Sequence, residues 1–163
     1  MMSIAAAFPR RRGFSLFELM LVIAILGAIL YLILPMISEI KARGALRASR
    51  QSLSAAFSSA RAAAMQKARS ATVTLTSSSA SVTVVSATTG NTVTLVGPIQ
   101  FTSSYGTVLT AIGSAPTSVV YDGRGIVSPV STSVAKYRLS ISSWADTVCI
   151  SGAGVILNKS CQL

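Results

Sequence analysis

A chain of 163 residues with a formal net charge of +10 and no histidine has room for one modest domain and little scope for catalysis. Its carboxylates are Glu18, Glu39, Asp122 and Asp146 alone, which leaves no Ser/His or Cys/His pair, no zinc-ligand cluster and no carboxylate-rich calcium loop. Asp122 with Asp146 is the only distant pair a glycosidase mechanism could use, and neither has an acidic neighbour in sequence. The composition points to a structural or binding protein rather than an enzyme, with no cofactor and no metal.

The first element lies in "RRRGFSLFELMLVIAILGAILYLILPMI", Arg10 to Ile37. Leu19 to Ser38 is a run of 20 uncharged residues, about 30 Å as a helix and close to one bilayer core. Arg10, Arg11 and Arg12 precede it, which by the positive-inside tendency keeps the N-terminus cytoplasmic and exports the chain beyond Ser38. Glu18 stands at the mouth of the run and is the residue to explain. Ser15 followed three residues later by Glu18 reads as a capping box at a helix start. A cleaved secretory signal fits poorly, because the apolar run is long and no small-x-small site precedes Pro35. A plain signal-anchor helix accounts for everything except the glutamate.

Beyond the run the pattern stays helical and becomes polar. Alanine is abundant from Glu39 to Arg69, and no proline or β-branched residue follows Ile40 in that stretch. Leu46, Leu53 and Ala60 recur every seven residues, with Phe57 and Ala64 extending the same narrow stripe. The spacing predicts one helix from Ser15 to Arg69, roughly 80 Å long. Gly27 and Pro35 interrupt its pattern, and a kink or loosening is expected near Pro35.

Composition changes at Ser70. Val, Thr and Ser now dominate, with alternation in Thr72–Thr76 and Thr92–Leu95. "TTGN" (88–91) and "DGRG" (122–125) read as hairpin turns, and further strands are expected over 119–122, 136–142, 146–151 and 155–157. Ser77–Ser81 and Ser128–Ser133 read as loops. The expected fold is α+β: a long N-terminal helix, transmembrane in its first half, packed on a mainly antiparallel sheet. Cys149 and Cys161 are the two cysteines. In an exported domain they most simply form a disulfide, with two reduced core thiols as the competing reading.

A basic leader ending in Gly13, then Phe14, Glu18 and a long apolar helix resembles the type IV pilin and pseudopilin signature. Gly27 and Pro35 also stand where that family has a helix-loosening glycine and proline. The resemblance implies cleavage between Gly13 and Phe14 by a prepilin peptidase and N-methylation of Phe14. It also implies subunit assembly through Phe14 and Glu18, the carboxylate pairing with the Phe14 amine of a neighbour. The implied organisation is a leader (1–13), an assembly helix (14–38), an amphipathic continuation (39–69) and an exported β-rich domain (70–163). The implied partners are the peptidase, other pilin or pseudopilin subunits, the inner membrane and its assembly platform.

"VVYDGRGIV" (119–127) and the closing hairpin "DTVCISGAGVILNKSC" (146–161) resemble the minor pseudopilin group GspH/FimT. That implies a minor pseudopilin of a type II secretion system, with a minor type IV pilin in pilus assembly or DNA uptake as the alternative and a major pilin as the third. Some members of the group bind DNA through arginines after a glycine in the last hairpin. Here Gly152 to Leu157 contains no arginine, so DNA contact through Arg124 and Arg138 is the disfavoured reading. A solvated basic helix face is the simpler account of the charge.

Overall fold

The computed structural model describes residues 15–86, 90–128, 134–157 and 161, with side chains 32–36 outside the description. The chain divides into two compact units, Met1–Glu39 and Ile40–Leu163. Helix α1 spans Leu16–Lys67 and runs without a break in its helical assignment through Gly27 and Pro35.

In the second unit α1 carries the stripe anticipated from its seven-residue spacing. Leu46, Leu53, Phe57, Ala60 and Ala64 are all buried, together with Ala56 and Ala63. The alanines keep this face thin, so backbone and sheet approach closely while Leu53 and Phe57 supply most of the apolar area. Ser49 is also fully buried, and its hydroxyl donates to the Leu46 carbonyl at 2.9 Å, so no polar atom is stranded there. The helix stops at Ala68, which adopts a left-handed φ of 48°. The Arg69 N–H then donates to the Ala64 carbonyl at 3.1 Å, the closing bond of a Schellman-type end.

Two antiparallel sheets complete the fold. The first orders its strands β3-β2-β1-β5-β6, from β1 (Ala71–Leu75), β2 (Ser79–Val85), β3 (Thr92–Gln100), β5 (Ser118–Tyr121) and β6 (Val127–Ser128). The second is β4-β7-β8-β9, from β4 (Val108–Ile112), β7 (Ala135–Ile141), β8 (Trp144–Ile150) and β9 (Ile156–Leu157). A short helix α2 (Phe101–Tyr105) lies between β3 and β4, with Phe101 fully buried and Gly106 turning the chain at φ 66°. Backbone bonds join the sheets: Leu109 N–H to the Ser77 carbonyl (2.9 Å) and Val127 N–H to the Gly152 carbonyl (3.0 Å).

Alternate residues of both sheets reach one core with the helix stripe: Val73, Val82, Val84, Val119 and Tyr121 from the first, Tyr137, Leu139, Val148 and Ile150 from the second. Phe57 stacks near Tyr137, ring centroids 5.7 Å apart. The Tyr137 hydroxyl donates to the Pro116 carbonyl at 2.7 Å, so the ring is buried without stranding its polar end.

The strands expected over 119–122, 136–142, 146–151 and 155–157 correspond to β5, β7, β8 and β9. The loop expected over Ser77–Ser81 is corrected: only Ser77 and Ser78 turn, and β2 begins at Ser79. The Thr76 hydroxyl accepts the Ser79 N–H at 2.9 Å, which closes the turn early, and Ala80 is buried as a strand residue. The "DGRG" turn joins β5 to β6 as anticipated. Part of "TTGN" and of Ser128–Ser133 lies outside the described residues.

Phe57→Ala should cost about 3–5 kcal/mol by leaving a cavity against Tyr137. Ser58→Ala, on the exposed side of the same turn, should stay within about 0.5 kcal/mol. Thermal or denaturant unfolding of the detergent-solubilised chain checks both.

Candidate assembly site

Helix α1 begins with a side-chain cap. The Ser15 hydroxyl accepts the N–H of Glu18 at 3.2 Å, and the Leu19 N–H donates to the Ser15 carbonyl at 3.2 Å. Ser15 therefore occupies the capping position and Glu18 the third helical position, where a carboxylate also faces the positive end of the helix dipole. Among the described residues Glu18 has no ion-pair partner. Gly13 and Phe14 lie outside the described residues.

The helix beyond Glu18 is apolar on every side. Residues 15–31 are exposed without exception, including Phe17, Leu19, Met20, Ile23, Leu26 and Leu30. A helix apolar all round has no stable surface to show to water and belongs inside something else. Gly27 has open space where a Cβ would sit, so no packing within this chain demands a glycine there. Among the described residues no helix is long and apolar enough to cross a membrane. Side chains 32–36, including Pro35, fall inside the uncharged run and outside that description.

The remaining expected residues sit on the second unit. Cys149 and Cys161 form a disulfide with Cα atoms 5.5 Å apart, tying Cys161 to β8. Arg124 lies on the β5–β6 turn and is exposed, and its Nε donates to the Asp122 carboxylate at 3.3 Å. Arg138 is exposed on the face of β7 opposite the core. These two arginines come from different sheets, and one of them is already engaged by a carboxylate.

Two contacts that sequence reading missed fasten α1 to β8. The Arg43 guanidinium lies 4.0 Å from the centre of the Trp144 ring, and Arg50 pairs with Asp146 at 3.4 Å. Their signal was the seven-residue spacing of the two arginines, which places both on one helix face, but only the fold shows what they meet. The described residues contain no group of three His, Cys, Asp or Glu side chains able to hold a metal ion.

Residues 8–30 match the prokaryotic N-terminal methylation motif. The fold is similar to that of the Pseudomonas aeruginosa (strain PAO1) type IV minor pilin FimU in two crystal forms. In the first, TM-score is 0.56 at 17% identity, covering 71% of this chain and 88% of that one. In the second, TM-score is 0.53 at 18% identity, covering 69% and 90%. No curated protein matches the chain. The chain thus combines a prepilin-type N-terminal methylation motif with a pilin-like fold of one long helix on antiparallel sheets.

Asp122 organises its turn: one carboxylate oxygen accepts the N–H groups of Arg124 and Ile126, each at 2.9 Å. The Ile126 bond first, then those of Arg124, hold its pKa below the ordinary value despite some desolvation. Because the folded value is the lower one, the carboxylate favours the turn above the unfolded value of about 3.9. That contribution is lost as pH falls through the folded value. The Ile126 amide proton shift should therefore titrate with a midpoint below about 3.9. A midpoint at or above it contradicts this geometry.

Proposed function

We propose that this chain is a minor subunit of a type IV filament, made as a precursor, anchored in the inner membrane by α1 and processed to begin at Phe14. The observation that carries it is the start of α1: apolar all round, exposed over residues 15–31, and bearing one carboxylate that has no ion-pair partner among the described residues. Such a helix is stable in lipid or among the helices of neighbouring subunits, and in neither place can Glu18 stay without a partner. A carboxylate within lipid costs about 2.5–3.5 kcal/mol on insertion scales. The amine released at Phe14 is the partner that processing supplies, about 6 Å along the helix from Glu18 and available equally to a neighbouring subunit. Burial strengthens that attraction and raises its desolvation cost, so the pair acts chiefly in register and selection of subunits.

The fold likeness to a type IV minor pilin supports the pilus reading. The "VVYDGRGIV" stretch and the Cys149-containing hairpin support the second reading, a minor pseudopilin of a type II secretion system in a periplasmic pseudopilus. In both, the N-terminus is cytoplasmic before cleavage, the β-rich domain is exported, and the assembly platform and other subunits are the partners. DNA binding is not part of the proposal: Arg124 is engaged by Asp122, and the closing hairpin turn presents no arginine.

Intact-mass analysis of the membrane-extracted chain should show a polypeptide starting at N-methylated Phe14. A bulky residue in place of Gly13 should leave the full-length precursor. Glu18→Ala should be cleaved normally yet recovered at roughly tenfold lower level in filaments, as expected when a buried charge pair loses one member. Normal recovery would contradict the pairing role. A deletion strain separates the two assemblies, since loss of released enzymes marks a secretion pseudopilus and loss of surface pili a minor pilin.

A further inference from the structure

Where the end of α1 meets the closing hairpin, two buried polar atoms lack hydrogen-bond partners. Tyr121 is fully buried and its hydroxyl has no hydrogen-bond partner; the Nε of Arg61 is likewise buried and unpartnered. Both are held there by two glycines in left-handed conformations. Gly154, at φ 75°, lies so close to the Gly125 carbonyl that a Cβ on it would collide, and that Cβ would come within 3.0 Å of the Tyr121 ring. A Cβ on Gly125, at φ 79°, would lie 3.1 Å from the Arg61 Nε. The two turns thus meet edge to edge over the Arg61 and Tyr121 side chains, an arrangement that only glycine permits on both sides.

Beside them is a cavity of about 290 Å³ lined by Ser58, Arg61, Met65, Gly154, Val155 and Ile156 among others. Ser58, Met65 and Val155 are exposed, so the cavity opens to solvent with a cationic group set in an apolar rim. Leaving a buried donor without an acceptor costs about 1–3 kcal/mol, more for a charged group. The acceptor does not come from the acidic side chains of this unit, because Asp122 is taken by its own turn and Asp146 by Arg50. A guanidinium with an unpartnered N–H, set in an apolar surround, suits a carboxylate carried on an aliphatic stem.

We infer that this cavity receives an aspartate or glutamate side chain from a neighbouring filament subunit, with Arg61 as the cation that binds it. The inference rests on the filament reading and extends it to a contact made by the exported domain. Val155 and Met65 would be covered at the same time, which removes two exposed apolar side chains from water.

The test uses full-length chain in cells that assemble the filament. A photo-activatable phenylalanine analogue at Ser58 should crosslink to an identified filament subunit, and the crosslinked peptide should contain Asp or Glu. Arg61→Gln should reduce that crosslink about tenfold, the scale of one lost charge-assisted bond, and Arg61→Lys should restore part of it. Crosslinking to a peptide without a carboxylate, or undiminished crosslinking in a folded Arg61→Gln chain, overturns the inference. So does the absence of any crosslink when wild-type chain is recovered in filaments. If wild-type chain is not recovered in filaments at all, the filament reading itself has failed.

Discussion

One helix in this chain must satisfy two unlike surroundings. From residue 15 to residue 31 it shows apolar side chains in every direction, whereas from Leu46 to Ala64 it is apolar along one narrow stripe. The second stretch solves its problem within the chain by laying Leu53, Phe57 and four alanines against two sheets. The first cannot be solved within the chain at all. Assembly, as proposed, is the consequence of that unsatisfied surface and of the carboxylate in its first turn.

The two sheets exist to complete the stripe. Each offers alternate Val, Leu, Ile or Tyr side chains to the same core, and hydrogen bonds at Ser77–Leu109 and Gly152–Val127 hold the sheets together at their margins. Between Arg69 and Asp122 the chain contains no charged residue, so the first sheet's β1, β2, β3 and β5 and the second sheet's β4 are neutral throughout. Charge is confined to the three N-terminal arginines, α1 and Arg69 just after it, the Asp122 turn, β7, β8 and the C-terminal residues. That division leaves the Arg43–Trp144 and Arg50–Asp146 contacts to fasten the helix by its charged side, while neutral strands do the burying.

Much of this fold is legible in the sequence because it is periodic. The seven-residue recurrence of Leu46, Leu53 and Ala60 announces the buried face, and Ser15 three residues before Glu18 announces the cap. Strands β5, β7, β8 and β9 are legible from apolar alternation and from glycine-bearing turns. The start of strand β2 is not, because Ser79-Ala80-Ser81 is small and polar in composition while Ala80 alone points inward. Helix α2 is five residues long, too short for any period to register, and β4 follows it after Gly106 as a strand of only five residues. The Arg61–Tyr121 cluster lies beyond sequence reading for a different reason. Its members are spread from α1 to the closing hairpin, and only the close approach of Gly125 and Gly154 brings them together.

The central claim is that the first half of α1 is buried in lipid or among other helices while the β-rich domain is exported. Single cysteines placed at Ile23 and at exposed Ser103, with the native cysteines held in their disulfide, can be probed in intact cells with a membrane-impermeant maleimide after opening the outer envelope. The account expects Ser103→Cys to label readily and Ile23→Cys to stay protected until the membrane and filaments are dissolved. Equal labelling of both positions in intact cells would contradict it.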